Sequence, residues 1–124
     1  MIQGIEHAAI AARDPETLAA FYVEMLGFAV NHRGKSAIFV KAPDGSMIEM
    51  IRAQGDAAPA TPKTPGLRHL ALSVTDFEVQ CARLQAAGIA FLDPPTDKGG
   101  NKVVFFHDPE GNLLHLLQRE TPLP

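Results

Sequence analysis

The sequence predicts an α+β fold built from two βαβββ modules, and three observations carry that prediction. A strand-like run with histidine in third place occurs twice, as Ile5-Glu6-His7-Ala8-Ala9-Ile10 and as Leu67-Arg68-His69-Leu70-Ala71-Leu72, at a spacing of 69 − 7 = 62. An aspartate follows each histidine by seven residues, Asp14 and Asp76, at the same spacing, where a side-chain oxygen can cap a new helix. Each half then ends in a Pro-acid-Gly-polar turn and an apolar run, at 43–50 and 109–116, now 66 apart. The growth from 62 to 66 locates extra residues in the second copy, at 94–101.

The elements follow in order. After the first strand, Pro15 suits a first helical turn, Leu18, Phe21, Tyr22, Met25 and Leu26 form a 3.6-period stripe, and Gly27 can close the helix in a left-handed conformation. Strands are expected at 28–33 and 36–42, and the returning strand follows the turn at Pro43-Asp44-Gly45. The second helix is expected from Phe77 to about Ala87, stopping at Gly88, with Val79, Ala82, Leu84 and Ala86 as its apolar positions. Strands are then expected at 89–92 and 102–107, before the last turn and strand. The modules so read are 1–52 and 67–119, within one domain of 1–124. The join at 53–66 holds three prolines and two glycines and reads as a semi-extended linker. A module of about 50 residues buries too little surface to stand alone, so each needs the other or a second chain.

Composition narrows the function. With 124 residues, 46% hydrophobic and 20% charged, the chain can build one core, and a formal charge of −3 gives no electrostatic reason to seek nucleic acid. Cys81 is the only cysteine, so neither an intrachain disulfide nor a thiolate cluster can form, which suits a reducing cytoplasm. No basic leader or apolar run of about 20 residues is present, so a soluble, unexported protein without a membrane partner is expected.

The repeat brings four groups into matched places: His7 and His69 on the opening strands, Glu49 and His115 on the closing ones. Strand alternation puts each among apolar neighbours, while Glu6, Ala8 and Ile10 are expected to point away from His7. A carboxylate so placed must be paired, protonated or metal-bound, and a divalent ion satisfies all four groups. Imidazole and carboxylate donors suit Zn, Ni, Fe or Mn alike. His32 and His107 have no repeat partner and read as solvated, Cys81 as a small core residue, and Lys98-Gly99-Gly100-Asn101 as a surface loop.

These residues resemble the vicinal oxygen chelate superfamily, which includes glyoxalase I, methylmalonyl-CoA epimerase, fosfomycin-resistance enzymes, bleomycin-binding proteins and extradiol dioxygenases. The features that carry the resemblance are His7, His69, the helix end Phe21-Tyr22-Val23-Glu24-Met25-Leu26-Gly27-Phe28, and Asp108-Pro109-Glu110-Gly111-Asn112 before the last strand. The resemblance implies that the modules curve as a mixed sheet around a central metal-binding cavity, with His7, Glu49, His69 and His115 as ligands. His115 departs from the family, which usually carries glutamate there, so a mechanism with two carboxylates is not implied. The first activity the resemblance implies is a glyoxalase-like lyase or isomerase, in which a divalent ion chelates adjacent oxygens of a small substrate and Glu49 or His115 moves a proton between carbons. The alternatives are a small extradiol-type dioxygenase using His7, His69 and Glu49 as a 2-His-1-carboxylate triad, and a non-enzymatic binder of an antibiotic or other small molecule. A homodimer is expected, because the linker permits the modules to fold together or to be exchanged between two chains.

Overall fold

The computed structural model describes residues 1–124. The chain forms two compact units, Met1–Ala58 and Pro59–Pro124. The first contains β1 (His7–Ala12), α1 (Pro15–Leu26), β2 (Ala29–Arg33), β3 (Ala37–Lys41) and β4 (Met47–Arg52). Its sheet runs β1-β4-β3-β2, with β1 parallel to β4 and the other pairs antiparallel. The second contains β5 (His69–Ser73), α2 (Phe77–Ala86), β6 (Thr96–Lys98), β7 (Asn101–His107) and β8 (Leu113–Gln118), and its sheet runs β5-β8-β7-β6 with the same parallel first pair. Two mixed four-stranded sheets, each with one helix, make the expected α+β fold of βαβββ modules.

Alternation along the strands separates a helix-facing core from an open face. Ile38, Val40, Ile48 and Met50 are buried, as are Leu18, Ala19 and Tyr22 on α1, which packs on β3 and β4. Their partners in alternation, Phe39, Met47 and Glu49, are only half-buried. Unit two repeats the pattern with Val104, Phe106, Leu114 and Leu116 inside. Each fully buried large side chain contributes roughly 1.5–3 kcal/mol relative to exposure.

The helices bury matched residues. Pro15, Ala19 and Tyr22 of α1 correspond at the 62-residue spacing to Phe77, Cys81 and Leu84 of α2, and all six are buried. The expected stripe of α2 is therefore corrected: Leu84 belongs to the buried face, Ala82 and Ala86 are exposed, and Val79 is 62% exposed. Positions i, i+4 and i+7 from Phe77 form the packed stripe.

The caps differ as well. Asp14 Oδ1 accepts the Thr17 backbone N–H at 3.1 Å and Oδ2 accepts the Thr17 hydroxyl at 2.7 Å, while Gly27 closes α1 at φ 77°. Asp76 does not cap α2 with its side chain. Gln118 Oε1 on β8 accepts the Phe77 N–H at 2.9 Å, and the Asp76 carboxylate takes the Gln80 amide instead.

The expected strand at 89–92 is not a strand. Only an isolated bridge between Phe91 and Phe106 forms there. Pro94 and Pro95 follow, and without amide protons they interrupt the ladder, which resumes as β6 inside the stretch read as additional residues. Lys98 pairs with Asn101, so Gly99 and Gly100, at φ 62° and 83°, make a two-residue hairpin turn and not a loose loop. No helix is long and apolar enough to cross a membrane.

Candidate functional site

In the first unit His7 opens β1, and Ala9, two residues on, lies opposite Glu49 of the parallel β4. That register brings His7 Nε2 to 3.7 Å from Glu49 Oε1. The separation is too long for a hydrogen bond. Nδ1 of the same ring lies 2.9 Å from Glu6 Oε1. In the tautomer that donates Nδ1–H to this carboxylate, Nε2 presents its lone pair on the Glu49 side. In that tautomer two acceptors face each other across the gap, and Glu49 retains only 24% of its side-chain exposure. That arrangement fits a cation, either a proton or a metal ion.

The second unit repeats the register, with Ala71 opposite His115. The His69 and His115 rings lie 4.8 Å apart at 61°. His69 is exposed, whereas His115 is buried. Burial pushes the His115 imidazole below its ordinary pKa; the Leu116 carbonyl 3.4 Å from Nδ1 opposes this, and the nearby His69 and Arg119 reinforce it. A neutral imidazole has the free lone pair that a metal ligand or a base requires.

Each unit therefore brings together two of the four candidate residues, His7 with Glu49 and His69 with His115. No group of three or more His, Cys, Asp and Glu side chains capable of holding a metal ion is present. Imidazole and carboxylate groups of the kind each pair presents are chemically suited to a borderline divalent ion such as Zn, Ni, Fe or Mn.

Two aromatic residues that the sequence reading passed over complete each pair. Phe39 on β3 is the cross-strand partner of Glu49, and its ring meets His7 edge-on, centroids 5.3 Å apart at 75°. Phe105 on β7 is the partner of His115, 4.7 Å from that ring and 6.0 Å from His69. The signal was present, because 105 − 39 = 66 is the spacing that relates Glu49 to His115. His32 is exposed, as expected, yet its ring also meets Phe39 at 5.9 Å; His107 is exposed at the end of β7. Cys81 lies on the buried face of α2 as a core residue, and burial raises its thiol pKa.

The open faces beside the pairs are lined by Phe39 and Met47 in one unit and by Phe105 and Leu117 in the other, all half-buried. Such faces can take an apolar body while the polar pairs hold its oxygens.

Comparison with known proteins agrees with this architecture. The chain is 32% identical to the ethylmalonyl-CoA/methylmalonyl-CoA epimerase of Cereibacter sphaeroides, over 95% of this chain and 99% of that protein. It is 30% identical to the uncharacterised protein YaeR of Escherichia coli, over 95% and 98% of the two chains. The crystal structure of a glyoxalase family protein from Enterococcus faecalis superposes with a TM-score of 0.75 at 35% identity, covering 93% of this chain and 97% of that one. The family model of the glyoxalase/bleomycin resistance protein/dioxygenase superfamily matches residues 4–116. With the βαβββ modules and the paired histidines, this match means that the chain belongs to the glyoxalase/bleomycin resistance protein/dioxygenase superfamily.

Proposed function

We propose that this protein is a metal-dependent enzyme of its superfamily, a glyoxalase-like lyase or isomerase that moves a proton on a small substrate chelated through adjacent oxygens. His7, Glu49, His69 and His115 are its donor set, and Glu49 or His115 carries the proton. The observation that supports this reading best is the approach of His7 Nε2 to Glu49 Oε1 at 3.7 Å, two atoms that can each give a lone pair to an ion. A divalent ion bound there supplies a Lewis acid for adjacent substrate oxygens. Glu49 would be the base when it is released from the metal, and buried, neutral His115 would be the base when it is not bound, because its one lone pair serves either the ion or the proton. The epimerase relative supports proton transfer at carbon as the reaction type. The reading extends to a cytoplasmic homodimer, in keeping with the single unpaired Cys81.

The test follows solvent deuterium into a panel of α-hydroxy ketones and thiohemiacetals by NMR, with protein loaded with nickel or zinc. Losing general acid–base catalysis lowers exchange by roughly 10²–10⁴-fold, so with metal content measured on the same samples, Glu49→Gln or His115→Ala identifies the proton carrier if exchange falls that far while the metal is still held. Exchange with neither metal, or exchange unchanged in both variants, contradicts the proposal. A second reading, a non-enzymatic small-molecule binder, draws on the half-buried Phe39, Met47, Phe105 and Leu117. It predicts saturable binding of an apolar compound with no deuterium incorporated.

A further inference from the structure

We propose that Glu6 is a positioning residue whose carboxylate takes the Nδ1–H of His7 and so holds the tautomer that presents the Nε2 lone pair toward Glu49. Sequence alternation sends Glu6 to the opposite face from His7, but β1 begins only at His7, so the pleat does not constrain residue 6. Its side chain is free to turn back, and Oε1 reaches Nδ1 at 2.9 Å. Nε2 on the other side of the ring then points to Glu49 at 3.7 Å, and Phe39 closes on the ring edge-on. A carboxylate holding one ring nitrogen while the other faces a donor site is the arrangement that sets ring orientation and ligand basicity in histidine metal centres.

Glu6 is largely exposed, which weakens any hydrogen bond it makes. The demand on it is small, however. The two neutral tautomers of imidazole are close in energy, so one charge-assisted bond to Nδ1 decides between them. The second unit supplies an internal contrast. The position matched to Glu6 is Arg68, which has no acceptor to offer His69 and whose Nε is buried without a partner. The device therefore serves one histidine of the two.

This inference rests on the proposed role of His7 as a ligand, and the experiment separates the two. Long-range nitrogen–proton correlation spectra of the metal-free protein, recorded about two units above the ordinary imidazole pKa, report the His7 tautomer. The wild type is expected to show the Nδ1–H form. Glu6→Ala is expected to revert to the Nε2–H form that free histidine favours, with His69 unchanged, and Glu6→Gln, whose amide oxygen still accepts, to restore Nδ1–H. Zinc titration is expected to show affinity about 10–100-fold lower in Glu6→Ala, the usual effect of losing such a partner. A wild-type Nε2–H form, or a tautomer indifferent to Glu6→Ala, overturns the inference. So does a tautomer that switches while zinc affinity stays the same in Glu6→Ala but falls in His7→Ala. If the tautomer behaves as expected and zinc binding ignores His7→Ala, the ligand reading fails and the tautomer role of Glu6 stands.

Discussion

Phe39 and Phe105 hold the same place in their respective units. Each lies opposite the closing-strand candidate residue, Glu49 or His115, and its ring meets the opening-strand histidine edge-on, at 75° for His7 and 88° for His69. Aromatic rings prefer this geometry, with the positive edge of one toward the negative face of the other. Each pair thus has as its neighbour a ring that carries no polar atom of its own.

Replacing either ring tests that support. Phe39→Leu and Phe105→Leu keep an apolar side chain at a half-buried position, so each should cost only about 0.5–1.5 kcal/mol of stability, the worth of an aromatic pair beyond its area. Zinc affinity should fall by about 10–100-fold if ring support matters as other outer partners of metal ligands do. Urea unfolding and zinc titration on the same samples separate the two effects. Unchanged affinity in both variants removes any supporting role.

The helix caps predict an acid response with a defined sign. The Thr17 hydroxyl and then its backbone N–H hold the Asp14 carboxyl below its ordinary value of 3.8. The folded state therefore binds this proton less readily than the unfolded chain, so the contribution of Asp14 is complete above pH 3.8 and declines as pH falls through the folded value. Asp14→Asn keeps a capping acceptor without the titration. Urea midpoints measured from neutral pH downward should fall less steeply in Asp14→Asn than in the wild type, and identical slopes contradict the assignment.

The buried face of α2 is open to direct test. Leu84 is fully buried, and Leu84→Ala should cost about 2–5 kcal/mol in urea unfolding, whereas Val79→Ala on the exposed side should stay within about 0.5 kcal/mol. Cys81 should react with a thiol reagent only as fast as the chain unfolds, because burial and the nearby Glu78 both disfavour its thiolate.

The β6–β7 turn gives a contrast between two glycines. Gly45 and Gly100 both take positive φ, 91° and 83°, so alanine at either should cost about 1–2 kcal/mol. A Cβ at Gly45 meets open space, whereas one at Gly100 collides with the Glu120 side chain. Gly100→Ala should therefore lower the thermal midpoint further than Gly45→Ala, and equal shifts contradict the packing described.

These outcomes also mark what could be read before the fold was known. The spacing of 62 carried both opening strands and both helices because each module must present the same face to its own helix. The same spacing applied to Pro15, Ala19 and Tyr22 yields Phe77, Cys81 and Leu84, the buried face of α2. Apolar residue type alone pointed to Val79 instead. The strand Thr96–Lys98 was illegible because all three residues are polar and exposed, and it is held by the Gly99-Gly100 turn and its pairing with β7. Of the candidate site, the matched places of His7 with His69 and of Glu49 with His115 were legible from their spacing, and the proximity of His7 to Glu49 and of His69 to His115 follows from parallel register. Glu6 was not, since its side chain acts from outside the strand whose alternation was used to place it.

The most direct test of the proposed metal centre is elemental analysis of protein purified without chelator, beside His7→Ala and His115→Ala. The account predicts about one divalent transition metal per four-donor set, lost in both variants, with nickel or zinc directing assays to isomerase substrates and iron to catechols. No metal in the wild type, with a thermal midpoint unmoved by adding zinc, nickel, iron or manganese, would contradict it.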